Sequence, residues 1–420
     1  MLSSDKKIEY IASGTSYMRL HSPRNAGDPV NGPFISELLS KIAKSSPNHE
    51  FGLLFNGFTE QSFGPRFRKL DGYHSIHADS GGLQIITQGK AVTDEIKDDI
   101  YRNQCASADF GMCFDEIPIG TQGKTSGRND VTNRWFKPDE MEHYAKLTGK
   151  NIARQIHVYR EQKSECKPIL IAQGNCYDTY MKWVDIVLEQ IPYEDKGEVT
   201  AVAMGAAALG TGTLEDIERA FIFSQLQMEK KHLHVLGVGS AKRMLPYLIF
   251  KQSGLYDESL TMSYDSTTHT SGVELGLYYT KNRKQVAFDR KMSKFYEATF
   301  EDISTICDMA GLDAHKFHKI MNTGYTKYID QGGEDFDFLR ARTAFTVKSI
   351  MNYIEHVDWM MESRENMLQL AIDAEFYNPA KALYNVKSKG DFDIWLGHFS
   401  RRVKSKRVQS GKPTDLEDFF

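Results

Sequence analysis

The 420-residue chain has no apolar run near membrane-spanning length, no CxxC pair, no early GxGxxG turn and no excess of basic charge. Each absence excludes something. Without a long apolar run there is no candidate transmembrane helix, and the start MLSSDKKIEY has none of the pattern of a secretory signal, so the cytosol is the expected compartment. The five cysteines, Cys105, Cys113, Cys166, Cys176 and Cys307, are scattered, which argues against a disulfide framework or a cysteine-rich zinc site and suits a reducing environment. The missing glycine-rich turn speaks against a dinucleotide-binding, doubly wound sheet. A net charge of −4 means that any nucleic acid must be held by local basic patches and not by a global field.

What is present is a core-forming composition, 40% hydrophobic and 11% aromatic, with a recurring unit of organisation. Short apolar or β-branched runs end in Gly, Asp, Gln or Asn: EYIASG from Glu9, FGLLFN from Phe51, SIHAD from Ser75, FGMCFDE from Phe110, PILIAQG from Pro168, VTAVAMG from Val199, HLHVLGVG from His232 and LTMSYDS from Leu260. Helix-like stretches such as TLEDIERAFIFSQLQMEKK separate most of them. Alternating strand and helix predicts a parallel sheet, and eight such strands predict an α/β fold of the (β/α)8 TIM-barrel type. The barrel is expected over residues 1–300. From 301 to 420 the texture turns helical, with Ile350, Ile354, Val357 and Met361 at helical spacing, predicting a C-terminal helical extension. The polar insertion containing TQGKTSGRND, between the Phe110 and Pro168 strands, reads as an active-site loop.

Barrel enzymes carry their chemistry at the C-terminal ends of the strands, where Asp79, Asp115, Gln173, Gly205 and Asp265 all fall. Three carboxylates and an amide around one mouth supply a nucleophile, a general acid/base and a hydrogen-bonding reader, the set needed to exchange one glycosidic bond for another. Each residue also has a structural reading. Asp79-Ser80-Gly81-Gly82 suits an ordinary turn, Asp115 a cap on the next turn, Gln173 a loop amide and Asp265 an N-cap.

The ordered series DSGGLQ at Asp79, FDE at Phe114, AQGN at Ala172, AMGAAALG at Ala203, LGVG at Leu236 and SYDS at Ser263 resembles the signature segments of the tRNA-guanine transglycosylase superfamily, over about residues 75–295. The resemblance implies base exchange through a covalent glycosyl ester. Asp265 matches the nucleophile and Asp79 the general acid/base. Asp115 would hydrogen-bond the guanine-like base, Gln173 and Gly205 would read its other edge, and Ser80, Gly81 and Gly82 would let the flat base lie against the backbone. His269 is a further candidate for a base or phosphate contact, with a plain loop role equally open.

Two departures matter. The zinc-binding CxCxxC and histidine of the tRNA enzymes have no counterpart, since only Cys307 lies beyond Cys176, and STTHTSG follows the nucleophile in place of the family's proline-threonine-arginine run. No metal or other cofactor is therefore expected; the histidines of HSIH (His74, His77) and HLH (His232, His234) have a spacing that metal sites sometimes use but, with no cysteine to support them, read as structural. Loss of that zinc module is most similar to the DNA 7-deazaguanine transglycosylases of bacteriophages and bacterial modification clusters. They replace guanine in DNA by a 7-deazaguanine such as preQ0, which implies DNA as partner, in a host cytoplasm if phage-encoded, and a flipped or single-stranded target. A homo-oligomer is compatible. The same chemistry on tRNA, or a noncatalytic nucleic-acid-binding barrel, are the alternatives.

Basic residues offer tracks for a nucleic-acid backbone. Lys281, Arg283, Lys284, Arg290, Lys291 and Lys294 follow the nucleophile strand, and Arg401, Arg402, Lys404, Lys406, Arg407 and Lys412 cluster further on. Tyr278 and Tyr279 beside the first cluster suit either stacking on bases or packing in a core.

Overall fold

A computed structural model of the chain describes residues 8–14, 17, 31–44, 49–60, 73–116, 120–125, 128–132, 138–174, 176–205, 213–267, 269–270, 277–283, 285–287, 300–323, 325–333, 337–373 and 376–404. Eight strands close into an all-parallel barrel: β1 (Ile8–Ala12), β2 (His49–Asn56), β3 (Ile76–Asp79), β4 (Phe110–Met112), β7 (Lys167–Ala172), β8 (Ala201–Met204), β9 (His232–Val235) and β10 (Thr261–Ser266). They are the eight strands expected from the sequence. The ring runs in chain order and closes between β10 and β1, with Tyr10 opposite Tyr264 and Ile11 opposite Asp265. Parallel neighbours need crossovers, and the helices supply them. They are α1 (Asn31–Lys44), α2 (Gly82–Gln88), α3 (Asp94–Ser107), α4 (Pro138–Glu161), α5 (Tyr177–Glu189), α6 (Thr213–Gln225) and α7 (Ala241–Gln252).

Local chemistry sets the helix starts. Thr93 accepts a hydrogen bond from Ile96 N at the head of α3, with Asp94 and Glu95 in the first turn, where acidic groups complement the exposed N–H dipoles. Ser240 caps α7 in the same way through Arg243 N. The insertion after β4 is more ordered than a loop. It holds an antiparallel hairpin, β5 (Gly120–Thr125) and β6 (Arg128–Thr132), and β6 lies against α2, the helix that directly follows Asp79.

A second hairpin, β11 (Leu277–Tyr279) with β12 (Gln285–Ala287), leads to helices α8 (Phe300–Ala310), α9 (Ala314–Thr323), α10 (Tyr325–Asp330), α11 (Phe338–Glu362), α12 (Arg364–Asp373), α13 (Tyr377–Leu383) and α14 (Lys389–Lys404). The longest, α11, packs on α1 and α7, the position that an eighth barrel helix would occupy. It covers the seam where the barrel closes. Side chains alternate along a strand, so Glu9 and Ile11 point into the barrel while Tyr10 points out. Outside, Tyr353 of α11 meets Tyr10 at 5.8 Å and Tyr264 at 6.1 Å between ring centroids, both edge-on. Ile350, Ile354, Val357 and Met361 are all buried in this helix, as the spacing predicts.

Tyr278 and Tyr279 belong to this packing. Both are buried; Tyr279 N donates to Ser349 Oγ, its hydroxyl bonds His356, and Asn352 donates to the Tyr279 carbonyl. Of their two sequence readings the core one holds, and rings so enclosed are not placed to stack on bases. Among the described residues, no helix is long and apolar enough to cross a membrane.

Candidate active site

At the mouth formed by the C-terminal strand ends, Asp79 ends β3 and accepts a hydrogen bond from Ser80 N at 2.8 Å. Asn56, the last residue of β2, places Nδ2 3.5 Å from Asp79 Oδ2, and its Oδ1 accepts from Phe58 N and Thr59 N. Burial pushes the Asp79 carboxyl up to about 6; hydrogen bonds from Ser80 and Gly81 pull it down, and the charge of Asp265 raises it again. Asp79 can therefore change protonation state near neutral pH, as a general acid/base must.

The paired glycines have distinct causes. Gly81 sits at φ +72°, where an L side chain is strained, and an added Cβ would lie 2.7 Å from Phe58 Cβ and 2.8 Å from Asn56 Oδ1. Its lack of a side chain thus serves the turn that carries Asp79, whatever ligand lies above it. Gly82 opens α2, and its N–H reaches the Oγ of buried Ser80 at 3.4 Å.

Asp115, just past β4, is buried and accepts a 2.7 Å hydrogen bond from Gln173 Nε2, just past β7. Burial pushes its carboxyl up to about 7, the Gln173 bond opposes this, and Asp79 and Glu116 reinforce it. The backbone on either side is pinned, because Asn151 of α4 donates to the Phe114 carbonyl at 2.9 Å and Thr148 Oγ1 receives Glu116 N at 3.0 Å. Gly205, just past β8, makes room for the Gln173 side chain: a Cβ there would meet its amide at 2.5 Å. Its carbonyl accepts from buried Tyr180 and its N–H donates to Ala172 O.

Asp265 lies within β10 and is no N-cap. Its Oδ1 accepts from Gly237 N at 2.7 Å and its Oδ2 from Ser13 Oγ at 3.2 Å, so the loops after β9 and β1 both hold it. The Gly237 loop is held in turn from outside. Arg243 donates to the Gly237 carbonyl and pairs with fully buried Asp216, which also binds buried Arg219 at 2.5 Å.

His269 does not join this group. Its ring is buried, stacks on Tyr353 at 4.0 Å, and bonds the Gly239 carbonyl through Nε2, so the reading as a base or phosphate contact is replaced by a role in fixing α11 to the barrel. Of the first basic cluster, Lys281 and Arg283 are exposed at the β11–β12 turn, and the Arg283 guanidinium lies 3.5 Å over the Trp359 ring. Lys284, Arg290, Lys291 and Lys294 lie outside the described residues, as do Lys406, Arg407 and Lys412.

Sequence reasoning gave no role to Asn56, Ser13 or Gly237, although all three lie within strand runs already picked out. It also missed an interior polar layer below the mouth. Contacts between β3 and β9, which are not neighbours in the sheet, must cross the barrel interior. His77 of β3 lies 5.6 Å from His232 and 5.1 Å from His234, ring to ring, and Phe110 stacks on both His77 and His232. Glu9 Oε2 is 3.9 Å from His77 Nε2, while Glu9 Oε1 accepts from Ser75 N and Oγ. His234 Nε2 is 3.3 Å from Asp265 Oδ1, which places this layer directly beneath the candidate nucleophile.

Neither the protein-family models nor the curated proteins yield a match to this chain.

Proposed function

We propose that the chain is a base-exchanging transglycosylase that replaces guanine in DNA with a 7-deazaguanine. The observation that carries this is the meeting of three differently held carboxylates at one barrel mouth: Asp265 between two hydrogen-bond donors, Asp79 with its carboxyl near 6, and Asp115 tied to Gln173. A TIM barrel is a common enzyme scaffold, and its strand ends are where catalytic groups gather. Resemblance to the transglycosylase signature segments supplies the assignment of roles.

In this reading an Asp265 oxygen attacks C1′ of the target nucleoside as the C1′–N9 bond breaks, forming a glycosyl ester, and guanine leaves with a proton from Asp79. Asp79, now ionised, takes the corresponding proton from the incoming 7-deazaguanine, whose nitrogen attacks C1′ and releases Asp265. Atoms balance without a redox partner. Asp115, when ionised, accepts the N–H groups of the guanine edge, and Gln173 fixes its orientation. DNA is favoured over tRNA because the tRNA enzymes' zinc ligands have no counterpart, Cys307 being buried within α8.

The test incubates the full chain with isotopically labelled 7-deazaguanine and separate DNA and tRNA pools, followed by nucleoside mass spectrometry. Label in DNA that disappears with Asp265→Asn is the expected result. Label only in tRNA overturns the substrate assignment, and exchange that survives Asp265→Asn overturns the mechanism.

A further inference from the structure

We propose that His77, His232 and His234 bind one divalent transition-metal ion, of zinc-like character, inside the barrel beneath Asp265. The inference goes beyond base exchange and does not rest on it.

Geometry comes first. Among the described residues, one ligating atom from each histidine lies within 4.8 Å of the others, and all three side chains are buried. A triangle with sides no longer than 4.8 Å has a centre about 2.8 Å or less from each corner, against metal–imidazole bonds of about 2.0–2.1 Å. Each nitrogen thus has at most about 0.7 Å to move, within reach of small ring rotations.

Hydrogen bonding is the second observation. Neither ring nitrogen of His77, a fully buried residue, has a hydrogen-bond partner among the described residues, and His234 Nε2 has none either despite its closeness to Asp265. Buried imidazole nitrogens without partners are costly, and coordination would satisfy them. The other sides of the rings are already arranged as ligating histidines require. His234 Nδ1 is 2.8 Å from Ser263 Oγ and His232 Nδ1 is 2.7 Å from Thr261 Oγ1, so each can donate its N–H to an oxygen and turn Nε2 to the ion. His232 would exchange its Ser263 contact for the metal, and Ser263 would keep His234.

Neither neighbouring carboxylate belongs to the set: Asp265 accepts hydrogen bonds from Gly237 N and Ser13 Oγ, and Glu9 holds Ser75 through Oε1. Three imidazoles from β3 and β9 make a nitrogen set suited to Zn2+ or Co2+, and not to oxygen-preferring Mg2+ or Ca2+. Such an ion would join strands that share no sheet hydrogen bonds.

The test uses the full chain, free of any affinity tag, stripped with chelator and equilibrated with Zn2+ or Co2+ alone. We expect about one Zn2+ per chain by plasma mass spectrometry, with visible Co2+ bands of four-coordinate intensity. His157→Ala, at an exposed histidine, should leave both unchanged. His77→Phe, checked for folding by circular dichroism, should weaken binding by roughly 10-fold or more and abolish the rise in melting temperature that Zn2+ gives the parent chain. X-ray absorption on the parent chain provides a readout independent of any variant's folding, with about three imidazoles expected around the metal. A folded parent chain that takes up less than about 0.1 equivalent at micromolar free Zn2+ would overturn the proposal. Co2+ bands that persist in folded His77→Phe, or an absorption spectrum with fewer than two imidazoles, would also overturn it.

Discussion

Replacing Asp115 by Asn should make the protein more stable, and the gain should appear only as pH rises. In the fold its carboxyl is pushed up to about 7 from an ordinary 3.8, chiefly by burial, with the charges of Asp79 and Glu116 adding and the Gln173 hydrogen bond opposing. A carboxyl raised on folding costs nothing below about pH 4, where both states are protonated. The fold then loses ground up to about pH 7, because the unfolded chain releases its proton first. The gap corresponds, at 1.36 kcal/mol per pH unit, to about 4 kcal/mol at pH 8. Asparagine escapes this cost and can still accept from Gln173 Nε2, but its own buried NH2 takes back about 1 kcal/mol. With an unfolding entropy of about 2.1 cal/mol/K per residue, a net gain of about 3 kcal/mol raises the melting temperature by about 3 °C. Differential scanning calorimetry of both proteins at pH 4, 6 and 8 measures it, and base exchange should be lost in the same variant. A gain of equal size at pH 4 and pH 8, or a loss that grows with pH, would refute the reasoning.

The other predictions concern how the site is held. Gly205→Ala pushes the Gln173 amide away from Asp115, so exchange activity should fall by about 10-fold or more, a loss near 1.4 kcal/mol, with little change in melting temperature; unchanged kinetics would count against Gln173 as the reader. In Asp79→Asn the like charge next to Asp115 is gone, so carboxyl-carbon NMR should find Asp115 titrating below about 7; an unmoved or higher midpoint would contradict the coupling. Asp216→Asn leaves buried Arg219 without its counter-charge and should destabilise the chain by about 3–5 kcal/mol in urea unfolding, whereas an effect under about 1 kcal/mol would show the pair to be dispensable.

Much of this fold was legible because its barrel signal is local and repeated. Every strand run from EYIASG to LTMSYDS carries its own apolar core and its own polar terminus, and a parallel closed sheet needs little more than that alternation. Asp79, Asp115, Gln173 and Asp265 were legible for the same reason, as strand ends. What escaped depends on which residues face one another across the barrel. His77 and His232 are far apart in sequence, and although HSIH and HLH have a spacing that metal sites sometimes use, nothing in either run shows that closure turns them toward one another. Of the two readings open for His269, its packing under an aromatic helix from late in the chain agrees with the structural one, and no local signal three residues beyond a strand end could show that cover. At Gly81 the turn was legible, but the crowding by Asn56, a neighbour from another strand, was not.

The placement of α11 over the β1–β10 seam has a temporal consequence. Strand β1 is among the first parts of the barrel to be synthesised and β10 the last, so the sheet cannot close until Ser266 has been made, and the seam stays bare until Glu362 follows. At about 5–20 residues per second, that interval is roughly 5–20 s. During it Tyr10 and Tyr264 present an uncovered aromatic strip on a nearly finished barrel, the kind of surface that chaperones hold and neighbouring nascent chains adhere to. A pause once Glu362 has cleared the ribosome would cost this protein little, and one between the emergence of Ser266 and that of α11 would leave that strip waiting for its cover.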